Sequence, residues 1–395
     1  MGTFLRFVVG ATLFLSVMAA SSHSQSAATG FVQNQSLGNL IQASQAPDQT
    51  LRSEVAEVSS ATKAVTKPFY AVAPGERRAL WVVRDAMTSV KLIDKMVVDA
   101  RQAGVTDLFV QVRGRGDAYY LSKTEPLPAT LAKKFDQGKG FDPLERVLQQ
   151  AQPDMRVHAW INTYLVASKP AHKLRDGHVA LENPEWIART PQGKSMLRMS
   201  RSDWKRNLTE GAYLDPAHPN VTPYILRLAD ELTQKYALDG LHLDYVRYPH
   251  MKVGFIEDES ERCAMITDMV RQLRMQMRMT RPGMILSAAV KPDPAGARSR
   301  YGQDWVRWVE EDLVDVVAPM MYSPSMKIMK GYLRDTKAAV DPSRVWAGIA
   351  VYNQSLAAAE QKILEAEMAG MGGISIFSYN SVPQGAKGLK RLNGR

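Results

Sequence analysis

Gly240-Leu241-His242-Leu243-Asp244-Tyr245-Val246-Arg247-Tyr248-Pro249 is a short apolar run that ends abruptly in an acid, two tyrosines, an arginine and a proline. A strand buried on both faces does not finish that way unless its carboxyl end opens on a polar cavity. Asp244 therefore sits where a carboxylate does chemistry rather than packing. The competing reading is an aspartate ion-paired to Arg247 or to an arginine at a neighbouring strand end.

Working outward, the same kind of run recurs. Strand-like segments stand at Arg78–Arg84, Asp107–Arg113, Arg156–Asn162, Gly240–Asp244, Ile285–Val290, Asp315–Tyr322, Arg344–Val351 and Gly373–Tyr379. Helical patterns lie between them. Thr88 is a plausible N-cap for the face Leu92, Ile93, Met96, Val97 and Ala100, which Gly104 ends. Asp142-Pro143 is a cap followed by proline at the first helical position. Asn220 opens a third helix, and Ile266, Met269, Val270 and Leu273 mark a fourth. Eight strands alternating with helices predict an α/β fold, a (β/α)8 TIM-type barrel. A doubly wound sheet would show a Gly-rich first turn, and none follows Arg84. The third βα connection is long, roughly Thr163 to Pro219, and must fold over the barrel mouth. Only Gly385 to Arg395 follow the last strand, so the eighth helix is short or missing.

Composition bounds the rest. The chain has 395 residues, is 45% hydrophobic and carries a net charge of +10. That charge is diffuse, without a Lys/Arg run or a nucleic-acid motif, so nucleic acid is not the expected partner. The single cysteine, Cys263, precludes an internal disulfide. Arg6, the apolar run Phe7 to Ala19 and the small residues Ala20, Ser21 and Ser22 read as a secretory signal peptide over residues 1–20. An uncleaved anchor is the alternative. The Ser/Ala/Gln/Thr-rich stretch 21–74 reads as a disordered linker, leaving residues 75–395 as the barrel. The expected location is across the inner membrane, periplasmic or extracellular, with no stable membrane insertion after signal cleavage.

In such barrels the reactive groups gather at the carboxyl ends of the strands. Every strand offers a polar candidate: Arg84 and Asp85; Arg113, Arg115 and Asp117; Asn162 and Tyr164; Asp244, Tyr245 and Arg247; Lys291 and Asp293; Tyr322; Tyr352 and Asn353; Tyr379 and Asn380. No His/Cys/acid trio has metal-ligand spacing, and His158 and His242 read as hydrogen-bonded core histidines. Neither a serine nucleophile elbow nor a phosphate loop is present, so no cofactor and no metal are expected. What remains suits sugar recognition. Glycosidic cleavage needs two carboxyl groups, about 5–5.5 Å apart for retention and farther for inversion. Asp244 is the first candidate. Asp293, on the adjacent strand, is the candidate partner, with Asp117 and Glu182 as rivals. Asp215 looks more like a cap. A substrate acetamido group is a further option. Arg113 and Arg115 could hold a carboxylate such as a lactyl acid through forked hydrogen bonds, or could simply neutralise Asp117 and Asp244. Trp81, Trp160 and Trp346 lie within strands and read as core. Trp186, in the long connection, is the better stacking platform.

These residues also carry a resemblance. Arg78-Ala79-Leu80-Trp81-Val82, Gln111-Val112-Arg113-Gly114-Arg115-Gly116-Asp117-Ala118, His158-Ala159-Trp160-Ile161-Asn162, Glu182-Asn183-Pro184-Glu185-Trp186, Leu214-Asp215-Pro216, the segment Asp239–Pro249, Asp315–Tyr322 and Gly373–Tyr379 follow one another. In that order they resemble glycosyl-hydrolase-like family ten, a set of bacterial envelope proteins, from about Arg78 to Tyr379. The resemblance implies a barrel and a glycoside hydrolase, with at least one relative acting on peptidoglycan glycan strands stripped of peptides. It implies Asp244 as the catalytic acid residue and Arg113, Asp117 and Asn162 as cavity residues. Gly114 stands where a proline is common, and Asp244 is followed by Tyr245 where some relatives have a second acid.

The expected protein is therefore an exported glycoside hydrolase of a cell-envelope glycan. Asp244 and Asp293 would be catalytic, and Arg113, Arg115, Asp117, Asn162, Tyr164, Trp186, Arg247, Tyr322, Asn353 and Tyr379 would bind the polysaccharide. The competing class is a barrel that holds glycan without cutting it, favoured if no second carboxylate lies within reach of Asp244.

Overall fold

The computed structural model describes residues 76–168, 170–251 and 257–393. The expected signal peptide and linker, residues 1–20 and 21–74, lie outside the described residues. Eight parallel strands form one sheet: β1 (Arg77–Val82), β2 (Asp107–Arg113), β3 (Arg156–Asn162), β6 (Gly240–Asp244), β7 (Ile285–Val290), β8 (Val316–Pro319), β9 (Trp346–Ala350) and β10 (Gly373–Phe377). Neighbours follow chain order around the sheet, and β1 pairs with β10. Parallel bridges Val317↔Val345 and Met320↔Gly348 close it between β8 and β9. The expected (β/α)8 barrel is thus what the chain forms. Its last helix is short, Ala386–Leu392.

Local chemistry sets the helix starts. Asp142 accepts from the Leu144 and Glu145 amides ahead of Pro143–Ala151, as its position before proline predicts. The first helix, Val90–Gln102, is capped by Ser89, whose side chain accepts from Leu92 N. Thr88 was the expected cap, but its hydroxyl donates to the Asp85 carbonyl at 2.9 Å. Asp258 and Glu261 form a reciprocal capping box at the start of Glu259–Thr280. No helix among the described residues is long and apolar enough to cross a membrane.

Because side chains alternate along a strand, one set fills the barrel interior. Ala79, Trp81, Phe109, Trp160, Ala289, Val316, Ala318 and Trp346 make that interior cluster. His242 joins it as a neutral histidine: Trp81 Nε1 donates to Nε2 at 3.0 Å, Ser287 Oγ lies 2.9 Å from Nδ1, and Phe109 stacks on the ring at 3.9 Å. Burial holds its pKa well below the usual imidazole range. His158 Nε2 meets Asp107 Oδ1 at 3.0 Å. Both histidines are hydrogen-bonded core residues. The large rings floor the barrel, so the next inward position along each strand opens on the mouth.

The long third connection folds over that mouth, as expected. It contributes an antiparallel pair, β4 (Leu165–Ala167) and β5 (Ala212–Tyr213). It also contributes the helix Arg201–Asn207, capped by a Ser200–Asp203 box. The pair brings Leu165 and Glu210 to the rim above Asp244.

Candidate active site

Asp244 lies two residues beyond His242, so the strand period turns it into the same interior, one layer higher. Its register partner on β3 is Asn162. Trp81, Gln111, Trp160, Asn162, Glu210, Asp244, Tyr245, Arg247, Lys291, Tyr322 and Phe377 are among the residues lining a cavity of ≈ 290 Å³ at this level. Aromatic faces make its floor and walls, and the polar groups stand at the strand ends and the rim.

Asp244 is 8% exposed. Its Oδ1 accepts from the Tyr245 amide at 2.7 Å. Burial pushes its carboxyl up to about 6, against the opposing pull of that amide, Arg247 and Lys291. Tyr245 takes up a left-handed backbone, φ 50°. Such strain in a bulky residue collects at functional sites. It lets the chain leave β6 sharply enough for Asp244 and Tyr245 both to line the cavity.

Arg247 is 3% exposed and sits among aromatic faces, 5.0 Å from the centroids of Tyr245 and Tyr301 and 5.6 Å from Tyr213. Its Nη2 donates to Glu210 Oε1 at 2.7 Å. Tyr213 donates its hydroxyl to the other Glu210 oxygen at 2.7 Å. Partial burial would raise the Glu210 pKa. Arg247, the Tyr213 hydroxyl and Lys291 outweigh it and hold the carboxyl below its ordinary value. Lys291 is brought down to about 8, first by burial and then by Arg247. Two carboxyl groups therefore share one cavity with pKa values displaced in opposite directions.

Several expected site residues are here: Asp244, Arg115, Asn162, Arg247 and Tyr322 all line the cavity. Asn162 is held by Gly114 O, which accepts from its Nδ2 at 2.7 Å, and by the Trp160 indole. Asp117 lies in an adjoining cavity and accepts from the Arg115 amide at 2.8 Å.

Others are elsewhere. Asp293 is not among the residues lining the Asp244 cavity. It caps the helix Pro294–Tyr301 through the Gly296 amide and pairs with Arg300 at 3.1 Å, its side chain 47% exposed. The turn Lys291-Pro292 carries it past the cavity, and Lys291 takes the inward position instead. Asp293→Ala should cost about 1 kcal/mol of stability, the worth of an N-cap, and leave turnover unchanged. Thermal melts with a parallel reducing-end assay check this; a large loss of turnover would restore Asp293 to the site.

Arg113 does not reach the substrate cavity. A register irregularity between Gln111 and Arg113 against β3 breaks the alternation. Gln111 faces the mouth, and Arg113 turns outward to a buried fork with Glu125 at 2.7 Å. Tyr164 is fully buried beneath the β4–β5 pair, and Leu165 takes its place at the cavity wall. Trp186 packs on Tyr224 and His218, ring centroids 5.5 and 5.9 Å apart, and so anchors the long connection. Asn353 is exposed and donates to Tyr322 O at 2.8 Å. Tyr379 donates to Asp99 Oδ2 at 2.7 Å on the first helix. Asp215 accepts from the Ala217 amide, as a cap. Among the described residues no group of three or more His, Cys, Asp or Glu is placed to hold a metal ion.

Glu210 was missed altogether. Its only signal is an acid just before the short run Ala212-Tyr213-Leu214 in a connection already expected to cover the mouth. Trp81 and Trp160 were read as core. They are core, and their upper edges also form the cavity floor.

A closed parallel barrel with this equipment at the carboxyl ends of its strands is of the kind found in TIM-barrel glycoside hydrolases. It superposes on the PgaB (BpsB) glycoside hydrolase domain of Bordetella bronchiseptica with a TM-score of 0.60 at 12% identity, over 80% of this chain and 98% of that one. A Group IV chitinase of Ostrinia furnacalis gives 0.51 at 11% identity, covering 80% and 98%. At such identities the likeness is one of fold.

Residues 76–261 match the family glycosyl hydrolase-like 10. The resemblance read from the sequence is thereby borne out. The glycosyl hydrolase DigH of Escherichia coli strain K12 is 27% identical over 299 residues, 66% of this chain and 65% of the relative. The glycosyl hydrolase YngK of Bacillus subtilis is 22% identical over 315 residues, 66% and 57%. This chain thus matches less than two thirds of the length of these curated relatives.

Proposed function

We propose that this chain is an exported glycoside hydrolase acting on a cell-envelope glycan, with peptide-free peptidoglycan strands as substrate. One observation carries the reading: Asp244 and Glu210 line one cavity, the first raised to about 6 and the second held below its ordinary value. Pairs pushed apart in this way divide the roles of acid and base. The protonated Asp244 carboxyl delivers its proton to the glycosidic oxygen as the C1–O bond breaks. The ionised Glu210 meets the positive charge that develops at C1; a water then forms the new C1–O bond and gives its proton to the Asp244 carboxylate. Trp81, Trp160 and Tyr322 offer faces to the apolar sides of the sugar rings. Arg247 keeps Glu210 charged and aimed. In this assignment Glu210 takes the place of Asp293, the expected second catalytic carboxyl. Export to the periplasm or beyond rests on Arg6 and the apolar run that follows it.

The test is incubation with peptide-free glycan strands and measurement of new reducing ends. Wild-type protein should produce them. Glu210→Gln should lower kcat by about 100-fold or more and flatten the acidic limb of the pH profile, because that limb reports protonation of Glu210. Full activity of Glu210→Gln would remove Glu210 from the reaction. Tight binding of the strands by wild-type protein with no new ends would favour the non-catalytic glycan-binding barrel.

A further inference from the structure

A second cavity, of ≈ 240 Å³, adjoins the first. Arg84 and Arg115 line both cavities, so they form the wall between them. Neither guanidinium is within 4.0 Å of a carboxylate among the described residues, whereas Arg247 in the same cavity is paired with Glu210. The Arg115 Nε is buried without a hydrogen-bond partner. Arg84 Nη1 is steadied by Gln111 Oε1 at 3.1 Å. Asp117 spends Oδ1 on the Arg115 amide rather than on its side chain.

The loop that presents Arg115 is built to hold this arrangement. A Cβ on Gly114 would come within 2.9 Å of Arg84 Cδ and Asp117 Oδ1, so either side chain would have to shift to admit one. Gly116, at φ 68°, lies under the His178 ring, and that ring meets the Arg115 carbonyl at 2.8 Å. Burial lowers the Arg115 pKa, and the neighbouring charge of Arg84 lowers it further. The two guanidinium groups repel each other, and Asp117, whose Oδ1 is taken up by the Arg115 amide, offsets this only in part. Paired forks of planar N–H donors match a carboxylate.

We propose that Arg84 and Arg115 clamp a carboxylate borne by the sugar next to the scissile bond, with the second cavity as the subsite for that sugar. The proposal rests on the glycan-hydrolase reading and adds to it how the acid group of the glycan is recognised, through Arg84 and Arg115. The earlier candidate pair for such a group, Arg113 with Arg115, is ruled out by the Arg113–Glu125 fork. A carboxylate could belong to an ether-linked lactyl group or to a uronic acid, and the probes must separate these.

Binding is measured calorimetrically with the Asp244→Asn protein, so that cleavage does not interfere. Three probes are compared: peptide-free lactyl-bearing glycan strands, the same strands with the carboxyl reduced to an alcohol, and oligogalacturonate. The lactyl strands should bind about tenfold tighter than their reduced form, as expected for a charge-assisted hydrogen-bond pair. Adding Arg84→Gln or Arg115→Gln should erase that difference between the two strands. Equal affinity for the two strands, or no affinity for any probe, overturns the clamp without recourse to a variant that could misfold. Tighter binding of oligogalacturonate keeps the clamp and overturns the peptidoglycan substrate. If wild-type protein makes no new reducing ends from strands it binds in this selective way, the hydrolase reading fails and the clamp stands.

Discussion

Asp244→Asn is expected to abolish glycan cleavage and, at the same time, to stabilise the protein. Loss of the proton donor should reduce kcat by about 10²–10⁴-fold, the usual contribution of a positioned general acid. Substrate affinity should persist, since the aromatic walls and Arg84, Arg115 and Arg247 are untouched. In the wild type kcat/KM should fall as pH rises above about 6, where Asp244 gives up its proton.

The stability effect follows from the same displacement. The folded state holds the Asp244 proton up to about 6, whereas an ordinary aspartate releases it near 3.8. Below 3.8 both states are protonated, and the group favours neither. Between there and 6 the unfolded chain ionises while the folded one does not, so stability falls as pH rises. Above 6 the full deficit remains, about 3 kcal/mol by the size of the shift. Asparagine cannot ionise and keeps an oxygen for the Tyr245 amide. The variant should therefore melt higher than wild type at pH 8, with the gain vanishing by pH 4. A stability–activity trade of this sign marks a group placed for chemistry. Equal melting temperatures at pH 8 together with retained turnover would remove Asp244 from its assigned role.

The second large effect concerns Arg113. Its Nε and Nη2 donate to Glu125, at 2.9 and 2.7 Å, and Nη1 donates to Asn162 O and to Thr163 O, the latter at 3.2 Å. Tyr224 donates its hydroxyl to the same carboxylate. The two charged side chains are 1% and 0% exposed. Burial works against the Arg113 charge, yet Glu125 and Tyr224 more than reverse this and raise its pKa. Arg113→Met should cost about 3–5 kcal/mol, because it strands a buried carboxylate. Urea unfolding should show a lowered midpoint with an unchanged slope. The double change Arg113→Met with Glu125→Leu should recover most of the loss, since no charge is then left unpaired. Arg113→Met protein of wild-type stability but poor glycan affinity would return Arg113 to the substrate cavity.

Residues of the site were legible to different degrees, and the reason is periodicity. Asp244, Asn162 and Tyr322 follow inward positions on strands by two-residue steps, so a run of sequence was enough to place them. Arg113 obeys the same count but misses the cavity, because β2 slips register after Gln111 and alternation fails beyond the slip. Asp293 was placed by adjacency of strands. A proline turn and a helix start intervene, and its side chain is used up as a cap. Tyr164, Trp186, Asn353 and Tyr379 lie in connections, where no period says which way a ring or amide turns. Trp186, Asn353 and Tyr379 are claimed by local partners, and Tyr164 is taken up by burial.

From the sequence alone came the order of the elements, the barrel, the mouth at which to look and Asp244 as an acid that lines its cavity. Short-range physics writes those features: burial makes the runs apolar, strand alternation sets facing, and caps and turns mark the ends. Only the folded chain decided which second carboxylate shares the cavity with Asp244, and which arginines are left without an ion pair. Glu210 comes from a connection that crosses 34 residues before it reaches the mouth at position 244, and Arg84 meets Arg115 across two strands. Such meetings depend on how a covering segment packs and on which ion pairs the buried space admits, and neither is encoded in any local stretch.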